Sequence, residues 1–185
     1  MPVPFPVVLV VGRPAAGKTT IGAEIARRWR LPVVSKDDLK EVLFDTLGTG
    51  DRQWSETLGR AAFALLHRVI ELQLQAGSPF LVDAAFTPRI DNGLFQEWQA
   101  RYGFTAVQVR CRASADELLR RFESRARDGS RHPGHADAQR REQFRLSLQD
   151  GRDDLLDLRG HVLDYDSEVP GAAATVLRAL GPILS

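Results

Sequence analysis

Cysteine is nearly absent from this chain: Cys111 is the only one among 185 residues. No internal disulfide can form, which fits a reducing compartment. No apolar run approaches the roughly 20 residues that a membrane-spanning helix needs. Met1 to Pro6 carry neither a basic start nor a cleavage site, so they do not read as a signal peptide. These absences predict a soluble, cytoplasmic protein. Charge of one sign is also missing, because 25 Lys and Arg against 24 Asp and Glu leave a net charge of +1. That balance argues against a general polyanion binder. Lysine is scarce: Lys18, Lys36 and Lys40 all precede the middle of the chain, and every later basic residue apart from histidine is arginine. No internal repeat, low-complexity tract or interdomain linker is visible, and residues 1–185 read as one domain.

What is present begins with Gly12 to Thr19, GRPAAGKT. The preceding Val7 to Val11 are almost all β-branched, as in a strand buried on both faces. Ile21, Ile25 and Trp29 then recur every four residues, a helical stripe over Thr20 to Trp29. A glycine-lysine loop between strand and helix turns successive backbone N–H groups, and the positive end of the helix, toward one cavity. The stretch Gly12, Arg13, Pro14, Ala15, Ala16, Gly17, Lys18, Thr19 and Thr20 is therefore the expected nucleotide cradle. Lys18 is placed to reach the β- and γ-phosphates of ATP, and the Thr19 hydroxyl to ligate Mg²⁺.

Apolar runs and helical stripes alternate along the rest of the chain, which predicts a three-layer α/β/α domain with a five-stranded, mainly parallel sheet. Strands are expected at Leu31 to Ser35, Phe80 to Val82, Phe104 to Arg110 and His161 to Tyr165. Helices are expected over Asp37 to Leu47, Ser55 to Ala76, Thr87 to Tyr102, from a capping box at Ser114 to Glu117, over Ala138 to Gln149 and over Ala172 to Leu180. Leu39, Val42, Leu43 and Leu47 are the expected inner side of the second helix. Leu58, Ala62, Leu65, Leu66, Val69 and Leu72 are that of the third. Asp128 to Asp137, DGSRHPGHAD, breaks the periodicity and marks a mobile helical lid over about residues 124–140.

Phosphoryl transfer needs a cradle, a metal, a group that positions the attacking hydroxyl, and cations on the transferring group. Asp83 ends an apolar strand where a carboxylate can hold Mg²⁺ beside Thr19. Asp37 or Asp38, after the second strand, can accept the acceptor's proton while the other caps the next helix; Asp37 is preferred. Arg121 and Arg125 share a helix face, and Arg131 follows as the chain enters the lid, so the three can close over the phosphates. His132 and His135 lack nearby cysteines for a zinc site and read as lid structure or an acceptor contact. The pocket for the acceptor is expected near Lys40, Trp54, Phe63 and Phe86.

GRPAAGKTT, SKDDLKEVLF, FLVDAAF and LLRRFESRARDG together resemble the P-loop kinases related to polynucleotide 5′-hydroxyl kinase. That superfamily includes chloramphenicol phosphotransferase, the zeta toxins and many bacterial kinases of unassigned substrate. The resemblance spans about residues 7–166. It implies that Asp37 is the general base, that Lys40 lies toward the acceptor, and that Arg121 and Arg125 are lid arginines. It also implies an adenine contact near Asp166 and Ser167. The Asp-Ala-Ala-Phe motif lacks the polar residues that often follow this aspartate in polynucleotide kinases. With the modest charge, this favours a magnesium-dependent ATP kinase acting on a small-molecule hydroxyl. A polynucleotide 5′-hydroxyl kinase and a regulatory nucleotide-binding NTPase are the alternatives.

Overall fold

In Pro6–Gly12, the first strand β1, every residue after Pro6 is buried. Side chains alternate between the faces of a strand, so Val7, Leu9 and Val11 enter one core and Val8 and Val10 another. A strand apolar on both sides must lie inside a sheet covered twice. The computed structural model describes residues 4–128, 132–135, 137–149 and 155–185.

These residues form helix α1 (Lys18–Trp29), strand β2 (Val33–Ser35), helices α2 (Lys36–Leu47) and α3 (Arg52–Ala76), and strand β3 (Phe80–Asp83). Next come α4 (Pro88–Tyr102), β4 (Thr105–Arg112) and α5 (Ala115–Asp128). A short 3₁₀ turn (Pro133–His135), α6 (Asp137–Ser147), β5 (Gly160–Asp166) and α7 (Ala172–Leu184) follow. The five strands are all parallel in the order β2-β3-β1-β4-β5. Leu66, Ile70 and Leu74 of α3 and Phe95 and Trp98 of α4 cover one face. Ile21 and Ile25 of α1, Leu118 and Phe122 of α5, Phe144 of α6 and Leu177 and Leu180 of α7 cover the other.

The three-layer architecture agrees with the expectation; three details differ. In α3 the buried seam runs through Leu58, Ala62, Leu66, Ile70 and Leu74, while Leu65 and Leu72 are exposed. Each four-residue step turns about 40° past a full turn, so the seam winds around α3 away from the side that Leu65 and Leu72 occupy. In α2 the buried residues are Lys40 and Phe44, with Val42 and Leu47 exposed. A buried ammonium must be hydrogen-bonded, and Lys40 Nζ donates to Ser55 Oγ at 3.0 Å and sits 5.0 Å above the Phe44 ring. Helix α7 continues past Leu180 through Pro182, because Ile183 and Leu184 still pack against the core.

The register brings three chain segments together at the carboxyl edge. Val10 of β1 and Ser35 of β2 both lie opposite Asp83 of β3, and Gly12 lies opposite Cys111 of β4. In parallel sheets this edge, where neighbouring crossovers leave in different directions, is where ligands bind.

Candidate active site

The turn from β1 into α1 uses conformations that few residues allow. Gly12 has φ 137° and Gly17 φ 90°. A Cβ on Gly12 would run into the carbonyl oxygen of Cys111. Ala15, with φ 67°, takes the left-handed form, which an alanine rarely adopts and which folds hold at functional loops. Helix α1 starts without a side-chain cap and without an acidic residue in its first turn. By contrast, α2 and α3 are capped by Ser35 and Asp51. The open N–H groups and positive end of α1 suit an anion.

Lys18 folds back over this loop, its Nζ donating to the Gly12 and Arg13 carbonyls at 2.9 Å each. The two expected metal ligands meet directly: Thr19 Oγ1 donates to Asp83 Oδ2 at 2.8 Å. Burial raises the Asp83 carboxyl above its usual range, against the Lys18 charge and the Thr19 hydrogen bond, with Asp37 and Asp38 adding to the rise. A carboxyl raised by folding favours its protonated form in the native state, so its contribution to stability is lost as pH rises through that value. Asp83→Asn should therefore raise the melting temperature of the nucleotide-free protein at neutral pH while removing magnesium-dependent turnover. A lower melting temperature in a calorimetric scan would contradict this reading of Asp83.

Asp37 and Asp38 separate in space. Ser35 caps α2 by accepting from the Asp38 N–H at 3.2 Å, so neither aspartate is the cap. Asp37 lines a cavity of about 830 Å³, and Asp38 does not. Lys36 Nζ pairs with Asp37 Oδ1 at 3.1 Å and lies 5.7 Å from the centroid of the Phe63 ring. The same cavity is lined by Lys18, Thr19 and Asp83 and by Arg121 and Arg125. Arg131 lies outside the described residues.

Arg121 ties three elements together. It donates to Glu117 Oε1 (2.7 Å), to Ser167 Oγ after β5 (2.7 Å) and to the Ala15 carbonyl in the loop (3.3 Å). Hydrogen bonds from Arg120 and Arg121 hold the Glu117 carboxyl down at about 2. Arg13 donates from the loop to the Ser147 carbonyl at the end of α6. Cys111 faces the loop from below; burial pushes its thiol up to about 12, which makes it a core residue rather than a nucleophile.

Of the four residues expected near the acceptor, Phe63 alone lines the cavity. Lys40 is buried on Ser55, Trp54 donates from Nε1 to the Gly48 carbonyl at 2.9 Å, and Phe86 is packed against Phe95 in the core. His135, Arg140 and Gln143 line the cavity instead. His132 and His135 hold the 3₁₀ turn on α2. Their Nε2 atoms pair with Asp45 Oδ1 (3.1 Å) and Glu41 Oε1 (2.9 Å), and the Phe44 ring stacks on His132 and meets His135 edge-on. Among the described residues no group of three His, Cys, Asp or Glu could hold a metal ion. A Cβ on Gly134 would stand 2.5 Å from the Phe44 ring. Gly134→Ala should therefore cost about 1–3 kcal/mol through overpacking, read by urea denaturation. An unchanged midpoint would show that the turn yields freely.

No helix among the described residues is long and apolar enough to cross a membrane. Residues 7–150 match the AAA domain family. A candidate kinase from Chloroflexus aurantiacus is 35% identical with a TM-score of 0.84, over 97% of this chain and 98% of that one. A sugar kinase from Janibacter sp. HTCC2649 superposes with a TM-score of 0.57 at 15% identity, over 100% of this chain and 99% of that one. The shikimate kinase of Acinetobacter baumannii gives 0.50 at 18% identity, over 97% and 93%. These two likenesses show the fold. No curated protein matches the chain. With its uncapped glycine-lysine loop, parallel sheet and matched residues, the chain belongs to the AAA domain family within the P-loop kinase superfamily.

Proposed function

We propose that this protein is an ATP-dependent kinase that transfers the γ-phosphate to a hydroxyl of a small-molecule acceptor. The observation that supports this most is one cavity lined by Lys18, Thr19 and Asp83, by Asp37, and by Arg121 and Arg125. A nucleotide-binding switch has no need of a carboxylate facing the phosphates from a separate helix.

The loop from Gly12 to Thr20, with its uncapped helix start, fits a polyphosphate. The Thr19 hydroxyl and Asp83 carboxylate, already in contact, are the oxygen donors that Mg²⁺ prefers. When bound, Mg²⁺ neutralises phosphate charge and orients the phosphoryl group. Lys18 leaves the loop carbonyls for the β- and γ-phosphate oxygens. Asp37 accepts the proton of the acceptor hydroxyl as its oxygen bonds to the γ-phosphorus and the bond to the β–γ bridging oxygen breaks. The products are the phosphorylated acceptor and ADP, and the proton stays on Asp37 until solvent takes it. Arg121 and Arg125, with Arg131 from the lid over about 124–140, stabilise the charge spread over the transferring oxygens. The site works in the cytoplasm, where the lone thiol stays reduced.

ADP formation measured against a panel of hydroxyl compounds, with water as the control acceptor, tests the reading. A compound that raises ADP formation well above the water rate supports it. Release that no compound stimulates would favour the NTPase alternative.

A further inference from the structure

We infer that Glu168 is a positioning residue for Arg121: it caps helix α5 from outside and so leaves the Glu117 carboxylate to hold the guanidinium at the cavity. Its part in phosphoryl transfer rests on the kinase reading above.

Ser114 to Glu117 carry the sequence of a capping box. In such a box the serine hydroxyl accepts from the glutamate N–H, and the glutamate carboxylate accepts from the serine N–H. The first half forms: Ser114 Oγ accepts from the Glu117 N–H at 3.4 Å. The second half comes from elsewhere in the chain. The Ser114 N–H donates to Glu168 Oε2, and the Ser114 hydroxyl donates to Glu168 Oε1 at 3.1 Å. A backbone N–H has one hydrogen to give, so the cap is complete without the Glu117 carboxylate. That carboxylate lies on the arginines that follow it. Its Oε1 accepts from Arg121 Nε at 2.7 Å, and both of its oxygens accept from Arg120 at 2.6 Å.

The turn after β5 fixes Glu168 for this task. Its own N–H donates to Asp166 Oδ1 at 2.9 Å, and the N–H and hydroxyl of Ser167 both donate to the Arg112 carbonyl at 3.0 Å. The turn grips α5 twice, at Ser114 through Glu168 and at Arg121 through Ser167 Oγ at 2.7 Å. Those two positions lie about two turns apart on one face of the helix. A carboxylate at the positive end of a helix makes a charge-assisted hydrogen bond, the stronger kind. With Glu168 removed, Glu117 is the carboxylate that the local sequence supplies for the Ser114 N–H, and taking that place draws it off Arg121. The helix stays capped while the arginine loses its anchor.

NMR of the full chain tests this through the Arg121 Nε–H, its signal assigned by loss in Arg121→Lys. Glu168→Ala should speed exchange of that proton with water by about tenfold or more, the loss of one charge-assisted hydrogen bond. The melting temperature should stay near that of the unchanged protein. Glu168→Gln, whose amide oxygen still accepts from the Ser114 N–H, should restore most of the protection. Glu117→Gln should expose the proton to the same extent, and adding Glu168→Ala to it should change nothing more, because Glu168 acts through Glu117. ATP hydrolysis with water as the acceptor is the second readout and should fall about tenfold in Glu168→Ala. An Arg121 proton unmoved in Glu168→Ala, whatever the melting temperature does, would overturn the inference. So would a double variant that loses more protection than Glu117→Gln alone. An exposed Arg121 proton with unchanged hydrolysis would uphold the positioning and count against the place of Arg121 in the kinase reading instead.

Discussion

Lys18→Ala lowers turnover by about 10²-fold or more, the usual loss when one strong transition-state donor is removed. The side chain already occupies the mouth of the loop, with its ammonium on the Gly12 and Arg13 carbonyls. Phosphate oxygens exchange for those carbonyls without a new rotamer having to be found elsewhere in the fold. Binding of ATP falls less than turnover, since the backbone N–H groups and the helix start remain. Steady-state turnover with saturating ATP and Mg²⁺ checks this. A rate close to that of the unchanged protein would remove Lys18 from the account.

Asp37→Asn lowers kcat by about 10²- to 10⁴-fold, the range for a positioned general base, while the KM for ATP changes little. Asparagine keeps the size of the side chain but has no carboxylate to take the proton. Asp38→Asn is the matched control. Asp38 does not line the cavity, and its backbone N–H donates to the Ser35 cap, so turnover of this variant stays near that of the unchanged protein. If the two variants changed places, α2 would present its other aspartate to the acceptor. If Asp37→Asn weakened ATP binding as much as turnover, Asp37 would serve the metal or the fold rather than the proton.

The part of the site that local rules govern is readable from the chain. β1, the loop and α1 are legible because a continuous β-branched run gives way to an apolar period near four across a glycine-lysine turn. Asp83 is legible because an acid closing an apolar strand has few places to sit besides the sheet edge. The contacts that escaped are all long-range. Arg13 meets Ser147 across 134 positions and Arg121 meets Ala15 across 106. No periodicity couples such pairs. Lys40 shows the other failure. By hydropathy it belongs outside, yet its ammonium donates to the Ser55 hydroxyl and lies over the Phe44 ring, as a buried cation requires. With Lys40 and Phe44 buried, Val42 and Leu47 of α2 are exposed while Leu39 still packs against the core. His132 and His135, expected as lid structure or an acceptor contact, serve as two separate clasps onto Asp45 and Glu41, and His135 also lines the cavity.

The central claim is that the γ-phosphate leaves ATP for a hydroxyl other than that of water. Its most direct measurement follows labelled γ-phosphate from ATP in the presence of Mg²⁺ and a panel of hydroxylated acids and sugar phosphates. Label should appear on an organic acceptor, at a rate that collapses in Asp37→Asn. Label found only as inorganic phosphate, at a rate no acceptor changes, would contradict the account.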